Sequence, residues 1–162
     1  MNVTEWIVVA VVFVFGIVLG AIATKRRQFH FRRRQLDEAR VLFQGMREQL
    51  EAKFLQRAAL SGKPRGLRWA DCEFEHDVAY ARDRQTGQLC ALVAVSIKFE
   101  AVPGGGMEEV EAVDNAKFGT AIFHYDPKHQ WIPDGRPIFN LNPSEAVLRF
   151  HDTLEPVGQN DG

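Results

Sequence analysis

Cysteine is scarce in this chain, and charge is missing altogether from residues 6–24. Cys72 and Cys90 are the only two cysteines, which excludes a disulfide-stapled scaffold and agrees with a reducing compartment. On the hairpin inferred below they stand about nine residue pairs apart, near 30 Å at strand rise and far beyond disulfide reach. Both are therefore expected to be small buried hydrophobes. No serine has a glycine-framed elbow, Ser96 and Ser144 included, and no Ser/His/Asp arrangement stands out, so nucleophilic catalysis has no foothold. Gly104, Gly105 and Gly106 are followed by no Lys-Ser/Thr pair, which excludes a phosphate loop and leaves a flexible connection. An internal repeat of useful period is also absent.

The uncharged stretch reads WIVVAVVFVFGIVLGAIAT, apolar on every side. As a helix it spans about 29 Å, the thickness of a bilayer's hydrocarbon core. Ala21, Ile22 and Ala23 offer a small-x-small cleavage site, but a signal peptide carries its cations before the apolar run, and here they follow it. Residues 1–24 are accordingly expected to be a retained transmembrane anchor. Lys25, Arg26, Arg27, Arg32, Arg33 and Arg34 come directly after, in a basic juxtamembrane segment spanning 25–35. Lys/Arg beside a membrane segment stay on the cytoplasmic side, which puts the amino terminus outside, with Trp6 at the outer interface, and the body in the cytoplasm. At that height the nearest polyanion is anionic lipid, to which each cation contributes about 1 kcal/mol. Phe29 and Phe31 can enter the interface with them, and nucleic acid is not expected as a partner. Gly16, Gly20 and Thr24 form a row of small residues that would let two anchors approach, a possible homodimer face.

The net charge of −1 conceals a division: residues 25–60 carry +6 and residues 61–162 carry −6, with Glu5 supplying the remainder. A hydrophobic content of 46% and a charged content of 25% belong to a folded protein rather than a disordered one.

Residues 36–60 are rich in helix formers and free of proline, and form an amphipathic helix. Leu36, Phe43 and Leu50 recur at seven with Ala39 and Met46 between them, an a/d seam that Lys53 and Arg57 interrupt. Val41, Leu42, Phe54 and Leu55 widen its apolar surface, and Gly45 suggests a close packing contact. Period two then takes over in a small α+β domain at 67–154. Ala70, Cys72, Phe74, Val78 and Tyr80 alternate with Asp71, Glu73, Glu75 and Asp77. DRQTGQ is a hairpin turn with Gly87 left-handed, and the odd positions from Leu89 to Ala101 form the strongest strand. A third strand at 116–125 and a fourth at 130–141 flank the turn DPKH, the fourth broken near Asp134 and Gly135 by Pro133 and Pro137. Asn142, Pro143 and Glu145 start a short helix that runs to about Leu154 and buries Ala146, Val147, Phe150 and Leu154. The tail at 155–162 is expected to fray.

The expected fold class is α+β: a transmembrane helix, then an amphipathic helix laid on a four-stranded antiparallel sheet, then a short C-terminal helix. Cystatin-like and nuclear-transport-factor-like folds share that element order, by analogy only.

Two constellations invite chemistry. His124, Asp126 and His129, with Asp134, have metal-ligating side chains, but they straddle a turn at a spacing that matches no standard site. The stripe Asp71, Glu73, Glu75 and Asp77 has the ordinary form of a solvated strand face. No catalytic, cofactor or metal residue is assigned. The expectation is a single-pass membrane protein that presents its domain to a protein partner or a membrane complex, with the acidic connection from Glu108 to Asp114 as one surface for a basic protein. The alternative is a ligand-binding or catalytic pocket between helix and sheet, for which His76 and His124 are the candidate inward polar groups.

Overall fold

The computed structural model describes residues 3–61, 66–106, 116–126, 128 and 130–158. It is an α+β protein with one long helix packed against an antiparallel sheet of six strands. The chain divides into two compact units, Met1–Leu42 and Phe43–Gly162.

Helix α1 runs Val3–Ser61 without interruption, so the anchor, basic and amphipathic segments distinguished in the sequence share one helical backbone. No proline or helix-breaking pair occurs along it, which leaves the backbone ladder nothing to stop at. Leu36, Ala39, Phe43, Leu50, Phe54 and Ala58 are its buried residues. The stripe follows the expected seam to Leu50 and then advances by four instead of breaking. A straight helix has 3.6 residues per turn, so its buried face drifts away from a strict seven-residue repeat. Val41 falls off this face and is exposed, and the position a Cβ would take at Gly45 has no neighbour within 4 Å, so the expected close contact is absent.

In the second unit, β1 (Leu67–Asp83) and β2 (Leu89–Ala101) form the long hairpin, with β3 (Lys117–Asp126) on the far side of β2. The expected four strands become six for local reasons. Pro133 and Pro137 split the fourth into β4 (Gln130–Pro133) and β5 (Ile138–Phe139), both of which pair with β3. Gly135 turns the chain between them at φ +80°, with its backbone so close to Arg57 that an added Cβ would lie 2.5 Å from the Arg57 Cβ. Arg57 Nη1 also donates to Pro133 O at 2.7 Å. The sixth strand, β6 (Leu154–Pro156), pairs with residues 81–83 of β1, so Glu155 and Pro156 are strand where a frayed tail was expected. The sheet order is β4-β3-β2-β1-β6.

One face of the sheet meets α1 through aromatic rings. Phe43 lies edge-on to Phe123 (5.3 Å), Trp131 (5.1 Å) and Tyr80 (6.4 Å), and Phe54 lies against Phe74 and Phe123 at 5.8 Å each. Burying one such side chain contributes about 1.5–3 kcal/mol. Helix α2 (Pro143–Arg149) covers part of the other face, where Ala81, Cys90, Leu92, Ala146 and Val147 pack together. With both faces covered, every residue of β2 from 89 to 93 is buried, and alternation returns from Ala94 on, through Ser96, Lys98 and Glu100. Asn142 and Glu145 form a reciprocal capping box at the start of α2 as expected, but the helix stops at Arg149 and leaves Phe150 exposed. Thr120, fully buried beneath it, donates its hydroxyl to Leu141 O at 2.7 Å.

Candidate functional site

The first unit is a helix with cations gathered at one place. Lys25, Arg26, Arg27, Arg32, Arg33 and Arg34 are all exposed. At about 100° per residue, Lys25 and Arg32 share one azimuth, Arg26 and Arg33 a second, and Arg27 and Arg34 a third, so the charge wraps about two thirds of the helix circumference. The arrangement is a collar rather than a stripe. Arg33 also lies over the Phe29 ring with its Cζ 4.9 Å from the centroid, and Phe29 and Phe31 are exposed. Ahead of the collar, Phe13, Phe15, Ile17, Val18, Leu19 and Ile22 are exposed and spread over about two thirds of the helix circumference, with Gly16 and Gly20 in the remaining sector. Such an apolar cylinder needs a cover, because contiguous apolar surface of this kind is costly in water.

The expected anchor lies partly outside the described residues: nothing is described of the side chains at 1–5, 7–12 and 14. Among the described residues no helix is long and apolar enough to cross a membrane. Gly16 and Gly20 are exposed with open space where a Cβ would stand, and Thr24 donates its hydroxyl to Ala21 O at 2.9 Å within its own helix.

In the second unit the structure brings Cys90 and His124 together. They face each other across β2 and β3, with Cys90 Sγ 3.3 Å from His124 Nδ1. A thiol beside an imidazole is the geometry of a cysteine nucleophile, but here burial pushes the Cys90 thiol up to about 11, helped by the nearby Asp83 carboxylate. A thiol held protonated is a poor nucleophile. Cys72, half-buried on the α1 face, is pushed up to about 12 by burial and by Asp71 and Glu51. Both cysteines are free, and their strand positions, Cys72 opposite Ile97 and Cys90 opposite Ala81, keep them far apart along the hairpin as expected.

Of the His124, Asp126, His129 and Asp134 constellation, the described members have other settings. Asp126 serves its turn, accepting from Lys128 N at 2.9 Å, Asp134 is exposed, and His129 lies outside the described residues. Among the described residues no group of three or more His, Cys, Asp or Glu is arranged to hold a metal. The acidic connection from Glu108 to Asp114 is likewise outside the described residues. Asp83 begins the β1–β2 turn: its Oδ1 accepts from Gln85 N at 2.9 Å and Thr86 N at 2.7 Å, and Gly87 takes φ +72°. Hydrogen bonds from Thr86 hold the Asp83 carboxyl below its ordinary value.

The space between α1 and the sheet, where a pocket was the alternative, is occupied by the Phe43 and Phe54 ring clusters, and His76 is exposed. The reason His76 leaves the inward phase is a bulge: Glu75, His76 and Asp77 stand opposite the single residue Ala94. A second bulge at Ala70 puts Trp69, 5.3 Å from the Phe99 ring, in the inward place expected of Ala70. Arg47 holds the larger bulge. Its guanidinium donates to the carbonyls of Glu75 and His76 (2.6 Å to His76) and to Glu51 Oε1 at 2.7 Å. The sequence shows the Arg47–Glu51 spacing but not the bulge it serves. An open cleft of about 440 Å³ lies on the opposite side of this bulge, with Val78, Ala79 and Ala94 at its base and Glu75, Asp77 and Ser144 at its rim.

Compared with known proteins, the chain matches no family model, no curated protein and no solved structure.

Proposed function

We propose that this is a single-pass membrane-anchored protein, with its amino terminus outside and its C-terminal α+β domain in the cytoplasm, that serves a protein partner or a membrane-bound assembly. The observation that carries this reading is the cation collar at the end of a helix whose exposed apolar side chains wrap about two thirds of its circumference. A helix lying flat on a membrane needs its charge on one face and its apolar residues on the other. A helix passing through the interface carries apolar surface on more than one face and then charge on more than one face, and in this helix each wraps about two thirds of the circumference, in that order. Lys25, Arg26, Arg27, Arg32, Arg33 and Arg34 then contact anionic headgroups. The row Gly16, Gly20 and Thr24 is open to a second anchor, so a homodimer belongs to the same proposal.

A binding role for the domain is supported by its interior. The helix–sheet interface is packed with aromatic rings, and the Cys90 thiol beside His124 is held in its protonated form by burial. The test is extraction of membranes with alkaline carbonate followed by crosslinking in the native membrane. The chain should stay in the carbonate-resistant pellet and crosslink to a defined protein. Release by carbonate would contradict the anchor, and crosslinking to nothing but lipid would contradict the binding role.

A further inference from the structure

The outer edge of β1 is open over most of its length. β6 pairs only with residues 81–83, and Val157 N reaches Tyr80 O at 2.9 Å. Among the described residues no strand pairs this edge from 67 to 79. An open edge is a row of donors and acceptors that can template another strand. This one has two unlike flanks. On the outer face Asp71 and Glu73 are exposed; Asp71 shares Lys98 of β2 at 3.9 Å, and the one Lys/Arg within 67–77, Arg68, is paired with Glu100 at 2.5 Å, so Glu73 carries most of the edge's selection for a cation. On the α1 face Trp69, Cys72 and Phe74 are only half-buried.

We propose that the 67–74 edge of β1 binds an extended segment of a partner protein in which basic and apolar residues alternate, adding it to the sheet as a further strand. Charge selects this occupant over a second copy. Two β1 edges paired with each other would crowd Asp71 and Glu73 against acidic residues of the same kind, and like charges on facing strands repel. A basic strand places Lys or Arg beside them and apolar side chains beside Trp69 and Phe74. The geometry also supplies the exchange. Cys72 N–H points away from β2 and is held by Asp71 Oδ1 at 2.8 Å, an exposed bond. An incoming carbonyl takes the Cys72 N–H, and the released carboxylate turns to the incoming cation. The docked stretch ends at the bulge, where Arg47 already occupies the Glu75 and His76 carbonyls.

The proposal rests on the domain being a protein-binding module and is independent of the anchor. It is tested with the full chain in non-ionic detergent and a fluorescein-labelled eight-residue peptide of alternating lysine and valine, followed by anisotropy. Two further peptides carry N-methyl groups on either the lysine or the valine amides, which blocks one hydrogen-bonding edge at a time. The expected result is saturable binding that at least tenfold weakening accompanies in Glu73→Lys and in one methylated peptide but not the other, with circular dichroism of the variant unchanged. Three results would overturn the proposal: no binding of the parent peptide, equal binding of both methylated peptides, or loss in Glu108→Lys/Glu109→Lys with none in Glu73→Lys. A defined crosslinked partner in the native membrane alongside any of these would leave the binding role standing and remove only the edge as its site.

Discussion

Phe43→Ala removes the ring at the centre of the interface between α1 and the sheet. The side chain is 1% exposed and meets Phe123, Trp131 and Tyr80 edge-on. Truncating a core phenylalanine costs about 3–5 kcal/mol, and aromatic pairs contribute about 0.5–1.5 kcal/mol each beyond their area, so a loss of about 4 kcal/mol is expected. With an unfolding entropy of about 2.1 cal/mol/K per residue over 43–162, this lowers Tm by about 15 °C. A domain stabilised by about 5–15 kcal/mol survives that, but narrowly. The assay is thermal unfolding in detergent followed by near-ultraviolet circular dichroism, where the Phe43–Trp131 contact also contributes to the signal. Val41→Ala, on a side chain 75% exposed, is the control and should cost under about 0.5 kcal/mol. A Tm change in Phe43→Ala no larger than that control would refute the packing argument.

Three other outcomes follow from the same structure. Arg47→Met leaves the bulge carbonyls of Glu75 and His76 without their donor and should cost about 1.5–3 kcal/mol in chemical denaturation, whereas Glu51→Gln, which leaves those bonds intact, should cost less. Gly45→Ala should stabilise by about 0.5–1 kcal/mol, because the helix interior there is open, while Gly135→Ala should destabilise by at least about 1 kcal/mol through its left-handed backbone and its contact with Arg57; equal effects would contradict both placements. At pH 8 the native chain should react with a disulfide reagent far more slowly than the unfolded chain, which should titrate two thiols. Burial raises both thiols, so the protonated form belongs to the fold: its contribution to stability is complete below the ordinary thiol value of 9.0 and is lost as pH rises toward about 11 for Cys90 and about 12 for Cys72.

What the sequence made legible was what nearby residues decide. The Asp83 turn with Gly87 left-handed, the Asn142–Glu145 capping box and the Leu36–Phe43–Leu50 seam each depend on side chains a turn or two apart, and each stands in the structure. The break between β4 and β5 was legible in Pro133 and Pro137 for the same reason. Register was not. Bulges at Ala70 and at Glu75–Asp77 are set by pairing with β2, and they exchange Ala70 for Trp69 and turn His76 outward, which no alternation count along β1 reveals. The covering of Cys90 and Leu92 by α2, and the reach of Arg47 to carbonyls nearly thirty positions away, likewise depend on tertiary contact. The cation collar was legible as composition, but its wrap around the helix follows only once residues 25–35 are known to be helical throughout.

The most direct test of the proposed anchor and orientation is labelling of Asp152→Cys, in a Cys72→Ala/Cys90→Ala background, with a membrane-impermeant maleimide. Asp152 is exposed and sits in the C-terminal domain. The expected result is no labelling in intact cells, full labelling after permeabilisation, and the labelled chain in the membrane fraction. Strong labelling of intact cells, or recovery of the labelled chain in the soluble fraction, would contradict it.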